Sequence, residues 1–236
     1  MTGSSEFAGR VAIVTGASSG IGQATAEMLV DRGARVTIFA RSAEKLKTIA
    51  GRSKNLLDVG GDIGDPAAVD RLFAETESRF GSCDILINNA GTYVARRLEK
   101  MSVGDWDSVF QVNLRGAFLA SRRAMPSMIA RRSGTIVNVA SISGVLGPEK
   151  FPGFTAYNTS KAALIGFTEA LAVEAKEFGI RVNCVSPGSV DTKMWKDVSG
   201  GAPADMTSQE VAEVILFLAS ERSRPINGQN LHVYSA

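Results

Sequence analysis

Two cysteines in 236 residues, Cys83 and Cys184, are too few for a disulfide framework and are not spaced as a CxxC metal site. A reducing compartment, the cytoplasm, is therefore expected. A single histidine, His232, excludes a His-rich zinc site and argues against a Ser-His-Asp hydrolase, so no metal is expected. Excess charge is lacking too. Lys plus Arg is 26 and Asp plus Glu is 24, a net +2, which gives no electrostatic reason to expect nucleic acid or an anionic membrane as partner. No apolar run approaches the ~18–20 residues of a membrane span; Val214–Ala219 is the longest worth noting. Met1–Arg10 is polar and lacks a signal-peptide core.

What is present is an ordinary globular composition, 44% hydrophobic and 21% charged, with 24 glycines that call for explanation by position. One domain is expected, residues 9–236, behind an N-terminal tail of residues 1–8. Short apolar runs alternate with helical stretches. Strands are expected at Val11–Thr15, Arg35–Phe39, Leu56–Val59, Asp84–Asn88, Thr135–Val139, Arg181–Val185 and Asn230–Val233. Helices are expected between them, including a long one over Asp105–Arg131, kinked at Pro126, and another over Tyr157–Phe178, ending at Gly179. Continuously apolar strands in a β-α-β rhythm predict a parallel sheet with helices on both faces. Ligands of such sheets sit beyond the carboxyl ends of the strands, and the motifs fall there.

Directly after the first strand stands Thr15-Gly16-Ala17-Ser18-Ser19-Gly20-Ile21-Gly22. Glycine permits a tight turn and lets backbone amides approach a pyrophosphate at the positive end of the following helix. The spacing G-x-x-x-G-x-G after a threonine resembles the short-chain dehydrogenase/reductase family. The resemblance implies a doubly wound Rossmann fold of seven parallel strands in the order 3-2-1-4-5-6-7. It also implies a dinucleotide bound by Gly16, Ser18, Ser19, Gly20, Ile21 and Gly22. Ala40 stands at the end of the second strand, where an NAD-selective member carries Asp, and Arg41 and Ser42 follow it. A guanidinium can chelate a 2′-phosphate that a carboxylate would repel, so NADP(H) is expected, with NAD(H) as the alternative. Asp62-Ile63 resembles the family's adenine-edge pair. Asn88-Asn89-Ala90-Gly91 matches its NNAG, with Asn89, Ala90 and Gly91 at the ribose. Pro187-Gly188 resembles its PG motif, with Val190 and Thr192 at the nicotinamide carboxamide.

Tyr157-Asn158-Thr159-Ser160-Lys161 carries the chemistry. Positions i and i+4 share a helix face, so Lys161 sits beside Tyr157. An ammonium there favours the phenolate and makes the tyrosine a usable acid and base near neutral pH. The resemblance implies that Ser141 steadies the substrate oxygen, with Ser143 as runner-up. It further implies that Asn113, in Gln111-Val112-Asn113-Leu114-Arg115-Gly116, holds a water that resupplies the proton, and that Lys161 and Tyr157 also touch the cofactor. Ser141 and Tyr157 are 16 positions apart, slightly more than is usual in the family, and Pro148–Phe154 looks extended.

These matches run from Val11 to about Val233. They resemble NADP-dependent 3-oxoacyl-carrier-protein reductase-like and carbonyl reductase members. The implied activity is hydride transfer between NADP(H) and a carbonyl or secondary alcohol. Alternatives are an NAD-dependent alcohol dehydrogenase on the same scaffold and a non-catalytic nucleotide-binding protein. The partner is a small carbonyl or alcohol substrate, with Tyr93, Phe154, Met194 and Trp195 as candidate apolar pocket residues. A homodimer or homotetramer is implied through the two long helices. The substrate loop near residues 189–206 is short, interrupted by Gly200-Gly201-Ala202-Pro203, and predicts a comparatively open site. Cys83 and Cys184 read as small apolar residues.

Overall fold

The computed structural model describes residues 5–147 and 150–234. Pro148 and Glu149, in the segment expected to be extended, lie outside the described residues. Seven parallel strands form one sheet in the order β3-β2-β1-β4-β5-β6-β7, as the motifs imply. In chain order they are β1 (Val11–Thr15), β2 (Arg35–Ala40), β3 (Leu56–Gly60), β4 (Ile85–Asn88), β5 (Gly134–Val139), β6 (Ile180–Pro187) and β7 (Asn230–Val233). Every residue of β1 and β4 is buried. That is the signature of a sheet covered on both faces, where neither set of alternating side chains meets water.

Helices α1 (Gly20–Asp31), α2 (Ala43–Ala50), α3 (Pro66–Phe80), α4 (Val103–Phe110), α5 (Gly116–Arg131), α6 (Thr155–Ala175), α7 (Lys193–Ser199) and α8 (Ser208–Ala219) complete the fold. Two apolar clusters lie on opposite sides of the sheet. Val14, Leu29, Ile38 and Leu216 belong to one, and Ile13, Phe39, Leu72 and Met128 to the other. Adjacent residues of β1 thus serve opposite cores, the period-2 alternation of a strand.

Local signals set the helix ends. Pro66 occupies the first turn of α3, behind an Asp65 side chain that accepts the Ala67 N–H. Ser102 with Asp105, and Thr207 with Glu210, form reciprocal capping boxes on α4 and α8.

Two expectations are corrected. The tail does not extend to residue 8: Phe7 is buried in the first core cluster, and its N–H donates to the Arg32 carbonyl. Its ring is removed from water only by tertiary contacts, which local polarity does not reveal. The expected helix Asp105–Arg131 is helical throughout, from Val103, but its irregularity does not lie at Pro126. Pro126 sits inside α5, on an exposed position, and the interruption lies earlier, in a π-helical turn at Gln111–Arg115. Proline removes only its own N–H from the ladder, and on this face water can satisfy the released carbonyl. The π turn is instead pinned by Asn113, whose amide is bonded outside its own helix.

At the opposite end of the sheet from the motifs, Arg181 at the start of β6 donates to the Leu218 and Ser220 carbonyls and to Ser223 Oγ. One guanidinium thus ties off the end of α8. Arg181→Met removes these charge-assisted bonds, leaving the two carbonyls to Ser223 alone, and costs about 2 kcal/mol. Thermal denaturation should show a melting point lower by ~5 °C, with turnover per folded molecule unchanged.

Candidate active site

The carboxyl ends of the central strands open into a cleft of about 280 Å³. Its lining includes Gly16, Ser18, Ser19, Gly20, Ile21, Arg41, Ser42, Asp62, Ile63, Asn89, Ala90, Gly91, Tyr157, Lys161 and Thr192. Most of the residues singled out in the sequence therefore share one concave surface. Pro187, Gly188 and Val190 do not line it. Pro187 ends β6, the Gly188 N–H donates to Val233, and buried Val190 bridges to Met206. They form the frame from which Thr192 reaches the cleft.

The glycine turn is shaped by close approaches. Gly16 has φ +66°, and a Cβ there would lie 2.7 Å from Ala90 Cα. Gly22 does not line the cleft, but a Cβ would lie 2.6 Å from the Gly16 carbonyl oxygen and closer still to the Asn89 amide. These glycines let the β1–α1 turn lie directly on the end of β4. Thr15 stitches the contact: its hydroxyl accepts the N–H groups of Asn89 and Ala90 and donates to the Ile87 carbonyl. Asn89 returns its amide to the Thr15 and Gly16 carbonyls. The Ser19 side chain does not cap α1, so the first-turn amides stay free for an outside acceptor. Free amides at a helix N-terminus, under backbone with no room for side chains, fit a dinucleotide pyrophosphate.

Lys161 lies at the other end. Its side chain is buried, and Nζ donates to the Val139 carbonyl at 2.7 Å. Nζ is 5.9 Å from the centroid of the Tyr157 ring, so the i, i+4 neighbours do face each other. Burial pulls the Lys161 ammonium down to about 8. The Tyr157 phenol is pushed above its ordinary range by burial, while its contact with the Ser141 hydroxyl acts in the opposite direction. The opposing pull on the phenol comes from Ser141, and desolvation exceeds it.

Ser141, not Ser143, faces Tyr157. The Ser143 N–H donates to Ser141 Oγ and so orients it. The tight turn Ile142–Gly144 presses on α6: a Cβ on Gly144 would lie 2.6 Å from the Lys161 carbonyl carbon. That contact explains the three-residue step from Ser141 to a glycine.

Asn113 is buried in the π turn. Its Oδ1 accepts the Thr92 N–H, and its Nδ2 donates to the Thr92 carbonyl and to Ser160 Oγ. The side chain clamps the loop after β4 to α6. Both Nδ2 hydrogens are thereby used, and Oδ1 keeps one acceptor lone pair.

The segment after β6 is a closed loop. The Asp191 N–H donates to the Met206 carbonyl, α7 starts at the Thr192 cap, and Gly200 ends it at φ +65°. None of the residues of α7 is buried. Met194 lines the cleft as expected, but the Trp195 indole turns away to the Ala202 carbonyl. Lys193 also lines the cleft; sequence reading passed over it, and its position directly after Thr192 was the available signal. The two cysteines match expectation: burial pushes the Cys83 thiol up to about 12 and the Cys184 thiol up to about 11, so both stay protonated. Among the described residues no group of three or more His, Cys, Asp or Glu is placed to hold a metal, and no helix is long and apolar enough to cross a membrane.

Burial of Lys161 has a consequence for stability. The unfolded chain keeps this proton up to about 10.5, whereas the folded protein releases it near 8. The charged lysine therefore costs stability below pH 8, and the cost fades between the two values. Lys161→Met should melt at a higher temperature than the native protein at pH 7, with the gap closing as the pH rises toward 10. A variant less stable at pH 7, or a gap independent of pH, contradicts this.

A family model for short chain dehydrogenases matches residues 10–202. The chain is 38% identical to a hydroxy(phenyl)methylsuccinyl-CoA dehydrogenase subunit, BbsD, from Thauera aromatica, over 95% of this chain and 94% of that one. It is 36% identical to the 3-oxoacyl-acyl-carrier-protein reductase FabG of Salmonella typhimurium, over 96% of both chains. A solved short chain dehydrogenase/reductase family protein superposes with a TM-score of 0.89 at 35% identity, covering 97% of each chain. With the glycine turn, the buried lysine and the tyrosine in one cleft, and Ser141 in contact with that tyrosine, these likenesses lead to one conclusion: the chain belongs to the short-chain dehydrogenase family of oxidoreductases.

Proposed function

We propose that the protein is an NADP(H)-dependent carbonyl reductase, or in reverse a secondary-alcohol dehydrogenase, with Tyr157 as its acid and base. The observation that carries this reading is that Tyr157 and Lys161 line the cleft that begins at the glycine turn, with Ser141, outside the lining itself, in contact with the Tyr157 phenol. The bound nicotinamide dinucleotide supplies or accepts the hydride. The rest falls to the chain. Tyr157 gives the phenolic proton to the carbonyl oxygen. Ser141, oriented by the Ser143 N–H, donates to the same oxygen and steadies its developing charge. Lys161 has one bond to Val139; its other N–H groups can hold a ribose hydroxyl, and its charge draws the phenol toward the phenolate. Asn113 fixes the loop after β4 and the π turn, through which the spent proton is replaced.

The preference for NADP(H) rests on the end of β2. Ala40, Arg41 and Ser42 line the cleft there and no carboxylate stands among them. Arg41 is exposed and has no carboxylate partner among the described residues, so it can turn onto a 2′-phosphate. Asp62 and Ile63 line the same end, and Asp62 Oδ1 is oriented by the Gly64 N–H; they suit the adenine edge.

Tyr93 stacks on Phe154 at 5.9 Å outside the cleft lining, and this aromatic pair is assigned to the substrate end. Two relatives are named for acyl thioesters, one of coenzyme A and one of acyl carrier protein. That supports a carbonyl carried on an acyl thioester. The uncovered side chains Phe118 on α5 and Val173 on α6 support pairing of these helices between copies, as a homodimer or as part of a homotetramer.

Tyr157→Phe should lower turnover at least a hundredfold and leave the NADPH dissociation constant, measured by fluorescence titration, nearly unchanged. Turnover at the native rate would sink the role given to the phenol. Arg41→Ala should weaken NADPH by about tenfold and leave NADH as it was. If the native protein binds the two dinucleotides equally well and the variant does the same, the enzyme is NAD(H)-tolerant and Arg41 is a solvated surface residue.

A further inference from the structure

We infer that Lys193 is a cofactor ligand that exchanges its partner: it is held by Asp197 in this structure and transfers to the pyrophosphate of the dinucleotide when that binds. The inference rests on the dinucleotide reading above. Three cations line the cleft, Arg41, Lys161 and Lys193. Arg41 stands past β2, at the adenosine end. Lys161 is buried at the catalytic end and bonded to Val139. Lys193 is the one joined to the phosphate turn. The preceding Thr192 packs on Gly20, whose would-be Cβ lies 3.1 Å from Thr192 Cγ2. Ser208 Oγ donates to the Asp191 carbonyl and steadies the same peptide run from the side of α8.

The glycine turn offers only backbone amides and a helix dipole to a doubly charged anion. Such sites are stronger with a mobile point charge added, and a lysine on its four-carbon stem is suited to that. Nζ of Lys193 now pairs with Asp197 at 2.6 Å, with the lysine side chain 79% exposed. An exposed i, i+4 pair of this kind is worth only a few tenths of a kcal/mol, so a nearby diphosphate can outcompete it. The other ion pair of α7, Lys196 with Asp191, involves residues outside the cleft lining. On the far wall, Asp62 is the lining carboxylate, and its Oδ1 is engaged by Gly64.

The test is equilibrium binding by titration calorimetry, with NADPH, NADH, ADP-ribose and adenosine 2′-monophosphate as probes. Lys193→Gln should weaken the first three by one common factor of about ten. It should leave adenosine 2′-monophosphate unaffected, because that probe has no pyrophosphate. Lys193→Arg should restore most of the loss. Asp197→Asn should tighten dinucleotide binding, and the double variant should bind like Lys193→Gln alone, a coupling that a merely structural lysine would not show. Lys193 is exposed, so melting points should stay level and exclude a folding defect. A loss confined to NADPH would assign the lysine to the 2′-phosphate and overturn the inference. So would unchanged ADP-ribose binding with a raised KM for the carbonyl substrate, or no change at all. A native protein that binds none of the dinucleotides overturns the proposed function itself, which a native dissociation constant distinguishes from a failure of Lys193 alone.

Discussion

A single buried ammonium sets the terms for the rest of the site. Lys161 has a relative exposure of 3%, and its Nζ has one protein acceptor, the Val139 carbonyl. Removing such a charge from water is unfavourable unless fixed dipoles replace the solvent. The end of β5 supplies one. Gly91 leaves open the space that a Cβ would occupy 3.4 Å from Nζ, and Gly144 lets the turn after β5 press on the backbone of Lys161. The remaining imbalance appears as an ammonium whose pKa falls to about 8. A group in that state is poised to gain from a ligand hydroxyl. The stability lost by burying it is the counterpart of the binding and proton-transfer role proposed for it.

The same constraint explains why the supporting residues are polar and immobile. Asn113 joins Thr92 to Ser160, so the loop after β4 and the helix of Tyr157 and Lys161 move as one body. Behind them, Asn88 donates to Ser121 and to Asn138, and Asn138 donates to Thr168. A buried polar chain of this kind, satisfied at most positions, fixes distances that apolar packing would leave softer. On the other side, Thr15 and Asn89 lock the phosphate turn to the end of β4. The cleft is thus rigid along its floor. Arg41 is exposed and no residue of α7 is buried, so these parts of the rim are the least packed.

Local chemistry was legible where it obeys local rules. The strands of the sheet centre could be read because a strand buried on both faces needs an unbroken apolar run. The phosphate turn could be read because only glycine tolerates its backbone at Gly16 and Gly20. The facing of Tyr157 and Lys161 followed from helix periodicity. Boundaries were less faithful: β6 extends from Ile180 to Pro187, beyond the apolar run Arg181–Val185, because pairing with β7 recruits Ser186 and Pro187.

By itself, then, the sequence determined the fold class, the strand order implied by its motifs, the glycine turn after β1 and the shared helix face of Tyr157 and Lys161. Each is encoded within a few consecutive residues by periodicity or by backbone freedom. Tertiary structure alone decided which serine meets the phenol, since Ser141 and Ser143 differ only in how their turn seats on α6. It also decided that Asn113 bonds Thr92 and Ser160, that Phe7 belongs to the core, and that burial raises the Tyr157 phenol against the pull of Ser141. Lys193 likewise enters the cleft only because Thr192 packs on Gly20, a contact between residues 172 positions apart. Distances of that kind arise when the sheet brings its strand ends together, and no local pattern along the chain records them.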